Sequence, residues 1–202
     1  MLDRLILEQT KQYQQQLAKQ LLQWGFTANR VTVLGFLIGI SALPLLAFEH
    51  YGWALIVILL NRLLDGLDGT LARLTQTSDR GGFLDIVLDF LFYSAIPLGF
   101  ALANHHENAL AAAVLIYSFI GTGSSFLAFA IFAAKRQLTS THYPHKSFYY
   151  LGGLTEAAET ILVFALMCLV PAWFSGLAYG FASLCFISTG LRVYSGWKNF
   201  AN

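Results

Sequence analysis

The sequence predicts an all-α integral membrane protein: six transmembrane helices preceded by an N-terminal amphipathic interfacial helix. Three observations carry that prediction. First, the 202 residues are 56% hydrophobic and only 11% charged, where a soluble domain carries about a quarter charged residues. Second, the mean hydropathy of +0.59 leaves too little polar surface to face water, so lipid must be the solvent. Third, six apolar stretches each approach the ~20 residues that cross a bilayer as a helix, with no period-2 alternation that would suit a barrel. The formal net charge of +1 excludes a basic nucleic-acid binder. Cys168 and Cys185 sit inside apolar runs and read as packing residues rather than a bridge or a metal pair.

In residues 1–24, Leu2, Leu5, Ile6, Tyr13, Leu17, Leu21 and Trp24 fall near helical spacing, with Lys11, Lys19 and glutamines between them. That pattern suits a helix lying on the membrane surface. It has no apolar core segment or small-residue cleavage site, so no signal peptide is expected. The spans follow at 29–48, 52–75, 82–103, 108–134, 153–170 and 172–195, within one membrane domain of residues 25–202. Basic residues set the orientation. Arg4, Lys11, Lys19 and Arg30 precede or begin the first span, Arg73 and Arg80 lie between the second and third, and Lys135, Arg136 and Lys146 between the fourth and fifth. Arg192 and Lys198 close the chain. The opposite connections, Glu49–Tyr51, Asn104–Asn108 and Pro171–Ala172, contain no Lys or Arg, so both termini are expected on the cytoplasmic side. Arg62 alone lies well inside a span.

Asp65, Asp68, Asp85 and Asp89 lie in or beside apolar helices. An aspartate at the bilayer centre costs roughly 2.5–3.5 kcal/mol on insertion scales, so each demands a partner. In a helix Asp65, Asp68, Gly69 and Ala72 share one face, and Asp85 and Asp89 share a face of the next. The connection is short, so the two helices are expected to be antiparallel with their acidic faces meeting near the cytoplasmic side. Asp65 stands ~20 Å from the outer end of its helix at about 1.5 Å per residue. Like charges this close cannot all stay ionised without cations, and two divalent ions would neutralise four carboxylates. Oxygen ligands favour Mg²⁺, Mn²⁺ or Ca²⁺, and a two-metal carboxylate site suits phosphoryl chemistry. Gly69 and Ala72 leave room for a bulky substrate such as a nucleotide, and Arg73 can hold a phosphate. Pairing of the aspartates with Arg62, Arg73 and Arg80 is the structural alternative. It does not explain why the acidic face also carries glycine and alanine.

Asp65-x2-Asp68-Gly69-x2-Ala72-Arg73-x7-Gly81-x3-Asp85-x3-Asp89 resembles the signature of the CDP-alcohol phosphotransferase family. Thr27-Ala28-Asn29 resembles that family's Thr-Pro-Asn entry to the first span, with Ala28 in the proline's place. The resemblance implies transfer of the phosphatidyl group of a CDP-linked lipid, most often CDP-diacylglycerol, to an acceptor alcohol with release of CMP. It implies two divalent cations, Mg²⁺ or Mn²⁺, held by Asp65, Asp68, Asp85 and Asp89, with Asp89 also the general base. Asp68, Gly69, Ala72, Arg73 and Gly81 would contact the CDP moiety, and a homodimer is a common family assembly.

The acceptor is the open question. Lys135, Arg136, Lys146 and Arg192 fall on the cytosolic side and can bind an acceptor phosphate or simply anchor helix ends. Gly153 to Thr160 is similar to the start of the fifth span in inositol-phosphate-using members, which carry arginines where this chain has Ala157 and Thr160. That departure argues against an inositol-phosphate acceptor. Glu156 and Glu159 favour a cationic or hydroxylated acceptor, or cap the helix. His142 and His145 are candidates for the acceptor site or for ordinary solvated positions. Gly35-x3-Gly39, Gly121-Thr-Gly-Ser-Ser125 and Gly176-x3-Gly180 are expected to let helices approach closely. Two other readings are a cation transporter and a non-catalytic CDP-lipid-binding family member. Transport predicts an acidic pair in the other half of the chain, and spans four to six carry no intramembrane aspartate. All four aspartates are present, which argues against lost catalysis.

Overall fold

The computed structural model describes residues 2–136 and 155–200, all helices and turns with no strand among them. Their order is α1 (Leu2–Gln23), α2 (Ala28–Ile40), α3 (Ala42–Ala47), α4 (Tyr51–Leu74), α5 (Asp79–Ala103), α6 (His105–Lys135), α7 (Ala157–Leu169), a 3-10 turn (Pro171–Trp173) and α8 (Phe174–Phe200). Four stretches among the described residues are long and apolar enough to cross a membrane: Ala28–Ala47, Asp79–Ala103, His105–Lys135 and Pro171–Phe200. The 24-residue α4 has the length, but Arg62, Asp65, Asp68 and Arg73 lower its apolar character. α7 has 13 residues, beginning at Ala157 where the sequence suggested 153. Its start is fixed by a capping box: Glu156 accepts from the Glu159 backbone, and Glu159 Oε2 accepts from Glu156 N at 3.2 Å.

The first span is broken at Ser41 into α2 and α3. Pro44 explains the break, since it has no N–H for the Ile40 carbonyl and its ring crowds that oxygen. Ser78 caps α5 by accepting from Gly81 N at 3.1 Å, and Asn104 caps α6 by accepting from Glu107 N at 3.3 Å.

Two regions of packing hold the bundle. At the end away from the acidic residues, Phe100, Phe164, Phe174, Leu46, Leu115 and Met167 are fully buried, and Ile58 and Phe92 continue this core up to Arg62. Phe100 stacks on Phe174 with centroids 4.5 Å apart and on Tyr51 at 5.6 Å, joining α4, α5 and α8. Cys168 and Cys185 are free thiols within this core. The second cluster is smaller: Ala18 of α1 packs with Val31 of α2 and Leu67 and Leu71 of α4. The outer faces carry exposed leucine, isoleucine, valine and phenylalanine, including Leu59, Leu63, Phe83, Leu91, Ile120 and Ile131. All four tryptophans are exposed: Trp24 and Trp197 near one end of the bundle, Trp53 and Trp173 near the other. Apolar flanks with a tryptophan belt at each end are the surface a bilayer requires.

Small residues bring α2 against its neighbours. A Cβ on Gly35 would stand 3.1 Å from Leu64 Cβ, and one on Gly39 would stand 2.7 Å from Asn61 Nδ2 and 2.8 Å from Phe92. Gly121 and Gly123 likewise admit Thr189 of α8 and Phe90 of α5. Gly176 and Gly180 differ from expectation, because nothing lies within 4 Å of a Cβ at either. They face outward from α8, so they mediate no close approach among the described residues.

Gly39→Ala should therefore cost about 1–3 kcal/mol, the usual penalty for forcing an atom into packed space. A drop in the thermal unfolding midpoint of the detergent-solubilised protein checks this. Gly176→Ala, with open space around it, should leave the midpoint near that of the parent.

Candidate active site

α2 packs against both α4 and α5, and wedges them apart so that they meet mainly through side chains. The resulting cleft is lined by Thr32, Gly35 and Phe36 of α2, Asn61, Arg62, Asp65 and Asp68 of α4, and Asp85, Leu88 and Asp89 of α5. Both acidic faces expected from helical spacing therefore turn into one space.

Asp65, Asp68 and Asp85 form its tightest group, offering carboxylate oxygens that all lie within 4.8 Å of one another. Asp68 is only 6% exposed, and its Oδ2 is buried with no hydrogen-bond partner among the described residues. A buried anionic oxygen without a donor is costly, and a cation is the usual remedy. The donor set is oxygen only, so the three residues fit a hard divalent ion such as Mg²⁺ or Mn²⁺.

Asp89 is placed differently. Arg62 Nη2 donates to Asp89 Oδ1 at 2.7 Å. The same guanidinium approaches Asp65 Oδ2 at 3.4 Å through Nη1. Nη1 also donates to the Tyr93 hydroxyl at 2.9 Å, and Nε donates to Asn61 Oδ1 at 2.9 Å. The Arg62 carbon lies 5.0 Å from the Phe92 ring centre and 5.2 Å from that of Tyr93. Asn61 is anchored in turn, because its Nδ2 donates to the Gly35 carbonyl at 2.9 Å. The structural alternative raised by the sequence is thus realised at Arg62 alone among the three arginines, with the charges of Asp65 and Asp89.

The proposed nucleotide contacts cluster at the end of α4. Arg73 Nη2 donates to Thr70 Oγ1 at 2.9 Å, and the side chain folds over Gly69, where a Cβ would come 3.3 Å from Nη1. Ala72 follows Asp65 by two helical turns. Gly81 opens α5 beside Asn29: a Cβ there would come 2.9 Å from Asn29 Oδ1. α1 braces this corner, with Gln14 lying over Gly66 and within 3.4 Å of Thr70 Oγ1.

A second and larger cavity, about 210 Å³, opens on the other side of Asp89. Asp89, Phe90 and Tyr93 of α5, Thr122 of α6, Glu156 at the head of α7 and Arg192 of α8 contribute to its wall. Arg192 Nη1 donates to the Thr122 carbonyl at 3.0 Å, and its guanidinium carbon lies 5.7 Å from the Phe126 ring centre. Of Lys135, Arg136 and Arg192, the cations expected around an acceptor that fall among the described residues, Arg192 alone lines this cavity. Arg136 instead donates to the carbonyls of Asn199 and Phe200 at 3.3 and 2.9 Å, closing the last turn of α8. Lys135 is exposed at the end of α6. Lys146, His142, His145 and Gly153 lie outside the described residues.

Sequence reasoning passed over Tyr93 and the bridging position of Arg62. Both left a signal: Tyr93 continues the Asp85, Asp89 spacing by one more turn, and Arg62 is a lone cation within an apolar run that needs a partner.

Comparison with known proteins agrees with this architecture. The chain is 56% identical over 197 residues to the inner membrane protein YnjF of Escherichia coli, covering 98% of this chain and 96% of that protein. It is 33% identical over 162 residues to the phosphatidylinositol phosphate synthase of Streptomyces avermitilis, covering 78% and 60% of the two chains. The fold matches crystal structures of Mycobacterium tuberculosis phosphatidylinositol phosphate synthase. The structure with CDP-DAG bound gives a TM-score of 0.74 at 20% identity, covering 91% of this chain and 93% of that one. The structure with manganese and citrate gives 0.72 at 22% identity, covering 91% and 88%. The CDP-alcohol phosphatidyltransferase family profile matches residues 26–191, a range that takes in both acidic helices and most of the second cavity's wall. The chain belongs to the CDP-alcohol phosphatidyltransferase family.

Proposed function

We propose that the protein transfers the phosphatidyl group of CDP-diacylglycerol to the hydroxyl of a small polar alcohol and releases CMP. The observation that carries this reading is the position of Asp89, which lines both the acidic cleft and the second cavity. A donor in the first and an acceptor in the second would meet at its carboxylate.

In this reading Asp65, Asp68, Asp85 and Asp89 would hold divalent cations, which would supply positive charge against the pyrophosphate. Gly69, Ala72 and Gly81 leave space for the cytidine, and Arg73 turns from Thr70 to a phosphate oxygen. Asp89 accepts the proton of the acceptor hydroxyl. The acceptor oxygen bonds to the phosphorus that bears the diacylglycerol, the bond to the bridging oxygen breaks, and CMP leaves with that electron pair. The manganese and CDP-DAG found in the mycobacterial structures support this assignment of the cleft.

The second cavity supports an acceptor that carries no net negative charge. Among the described residues it presents one guanidinium, Arg192, and two carboxylates, Glu156 and Asp89, with threonines and aromatic rings. Ala157 and Thr160 also line it, at the positions where the family resemblance places arginines for inositol phosphate. An incoming phosphate dianion would therefore meet two carboxylates and a single guanidinium. A polyol or an amino alcohol fits better. The amphipathic α1 would rest on the surface of a bacterial inner membrane, with residues 25–202 forming a six-span body and both termini in the cytoplasm. The family resemblance also supports a homodimer.

Purified protein in CDP-diacylglycerol micelles should release CMP with Mg²⁺ or Mn²⁺ and stop in EDTA. Asp89→Asn should fall by about 100-fold or more, the scale of a lost general base. Turnover without divalent ions, or by Asp89→Asn at the parent rate, would overturn the mechanism. Across an acceptor panel, CMP release is expected with glycerol, ethanolamine or serine and not with inositol phosphate. Efficient turnover with inositol phosphate would reverse the acceptor assignment.

A further inference from the structure

We infer that Arg62 is a positioning residue, which fixes Asp89 between the two cavities and ties the acidic cluster to the acceptor wall. The inference rests on the reading of Asp89 as base given above. One planar group makes all the connections. Its Nη2 holds Asp89 Oδ1 at 2.7 Å, its Nη1 holds the Tyr93 hydroxyl at 2.9 Å and approaches Asp65 at 3.4 Å, and its Nε holds Asn61 at 2.9 Å. Asp65 belongs to the three-carboxylate group, Tyr93 to the wall of the second cavity, and Asp89 to both spaces.

The guanidinium has little freedom to leave this arrangement. Its side chain is 13% exposed, Phe92 and Tyr93 face it with their rings, and Asn61 is itself pinned to the backbone of α2. Engaging one carboxylate oxygen of Asp89 fixes the rotation of the other, so the base is aimed before a substrate arrives. The positive charge also separates Asp65 from Asp89, two anions that would otherwise face each other in a poorly screened space. A lysine would supply the charge but not the planar fork that reaches Asn61, Tyr93 and Asp89 together.

The test uses the full-length protein in detergent, with Arg62→Met, Arg62→Lys, Asp89→Asn and the double variant Arg62→Met/Asp89→Asn. Arg62→Met should lower kcat by about 100-fold while the KM for CDP-diacylglycerol moves by less than about threefold, the pattern of lost alignment without lost donor binding. Arg62→Lys should recover only part of that loss. Thermal unfolding supplies a readout independent of turnover. In EDTA, Arg62→Met should melt below the parent, and adding Asp89→Asn to it should raise the midpoint again by removing the unbalanced charge. Mn²⁺ should narrow the gap between Arg62→Met and the parent. Tyr93→Phe keeps every charge and should raise the acceptor KM, which leaves the inference testable if Arg62→Met does not fold.

Parent-like kcat in Arg62→Met overturns the inference. So does an equal loss of midpoint with and without Mn²⁺ that Asp89→Asn does not relieve, because a merely structural arginine would behave that way. If Tyr93→Phe must decide, an unchanged acceptor KM also overturns it. Asp89→Asn alone separates the two readings. A silent Asp89→Asn beside a parent-like Arg62→Met removes only the role of Arg62, whereas an active Asp89→Asn removes the base itself.

Discussion

A carboxylate inside a membrane protein must be balanced by a cation or a hydrogen-bond donor, because no bulk water is present to do it. That constraint organises the acidic half of this bundle. Asp65 and Asp89 are balanced by Arg62, at 3.4 and 2.7 Å. Asp68 keeps a buried oxygen without a donor, beside Asp65 and Asp85. The protein thus supplies its own countercharge for one part of the acidic cluster and leaves another part to be met by an ion. Such a division keeps the helices together while preserving affinity for a divalent cation.

The backbone serves the same arrangement. α2 enters between α4 and α5 through Gly35 and Gly39, and the Gly35 carbonyl accepts from Asn61, the residue next to Arg62. Packing of small residues and positioning of the buried cation are therefore one feature rather than two. Away from the acidic cleft the stabilisation changes character. Stacked Tyr51, Phe100 and Phe174 and the buried Phe164, Leu115 and Met167 form an apolar core with no charge to settle. A rigid aromatic half thus supports a polar half built around space.

That space has two compartments with one shared residue. On the proposed mechanism the separation matters, since a lipid-linked nucleotide and a water-soluble alcohol differ in charge, size and route of entry. The acidic cleft is made by α2, α4 and α5, and the second cavity by α5 to α8. α5 belongs to both, and Asp89 stands where the two surfaces of that helix meet. On this proposal, variation in α7 and α8 would alter the acceptor without disturbing the acidic cluster.

Much of this was legible in the chain itself. Composition and apolar run length determined the membrane class, and helical spacing placed Asp65 with Asp68 and Asp85 with Asp89, because both depend on local periodicity. The break at Ser41 was implicit in Pro44, and the late start of α7 in the Glu156–Glu159 capping box. Contacts between distant segments were not legible. Only the folded chain decided that Arg62 holds Asp89, that Arg136 closes α8 while Arg192 faces the second cavity, and that Gly176 and Gly180 look outward. The sequence determined which faces are acidic, apolar or small, since a helix fixes the direction of each side chain relative to its neighbours. Tertiary structure decided which faces meet and how far apart, since that depends on the packing of residues far apart in sequence.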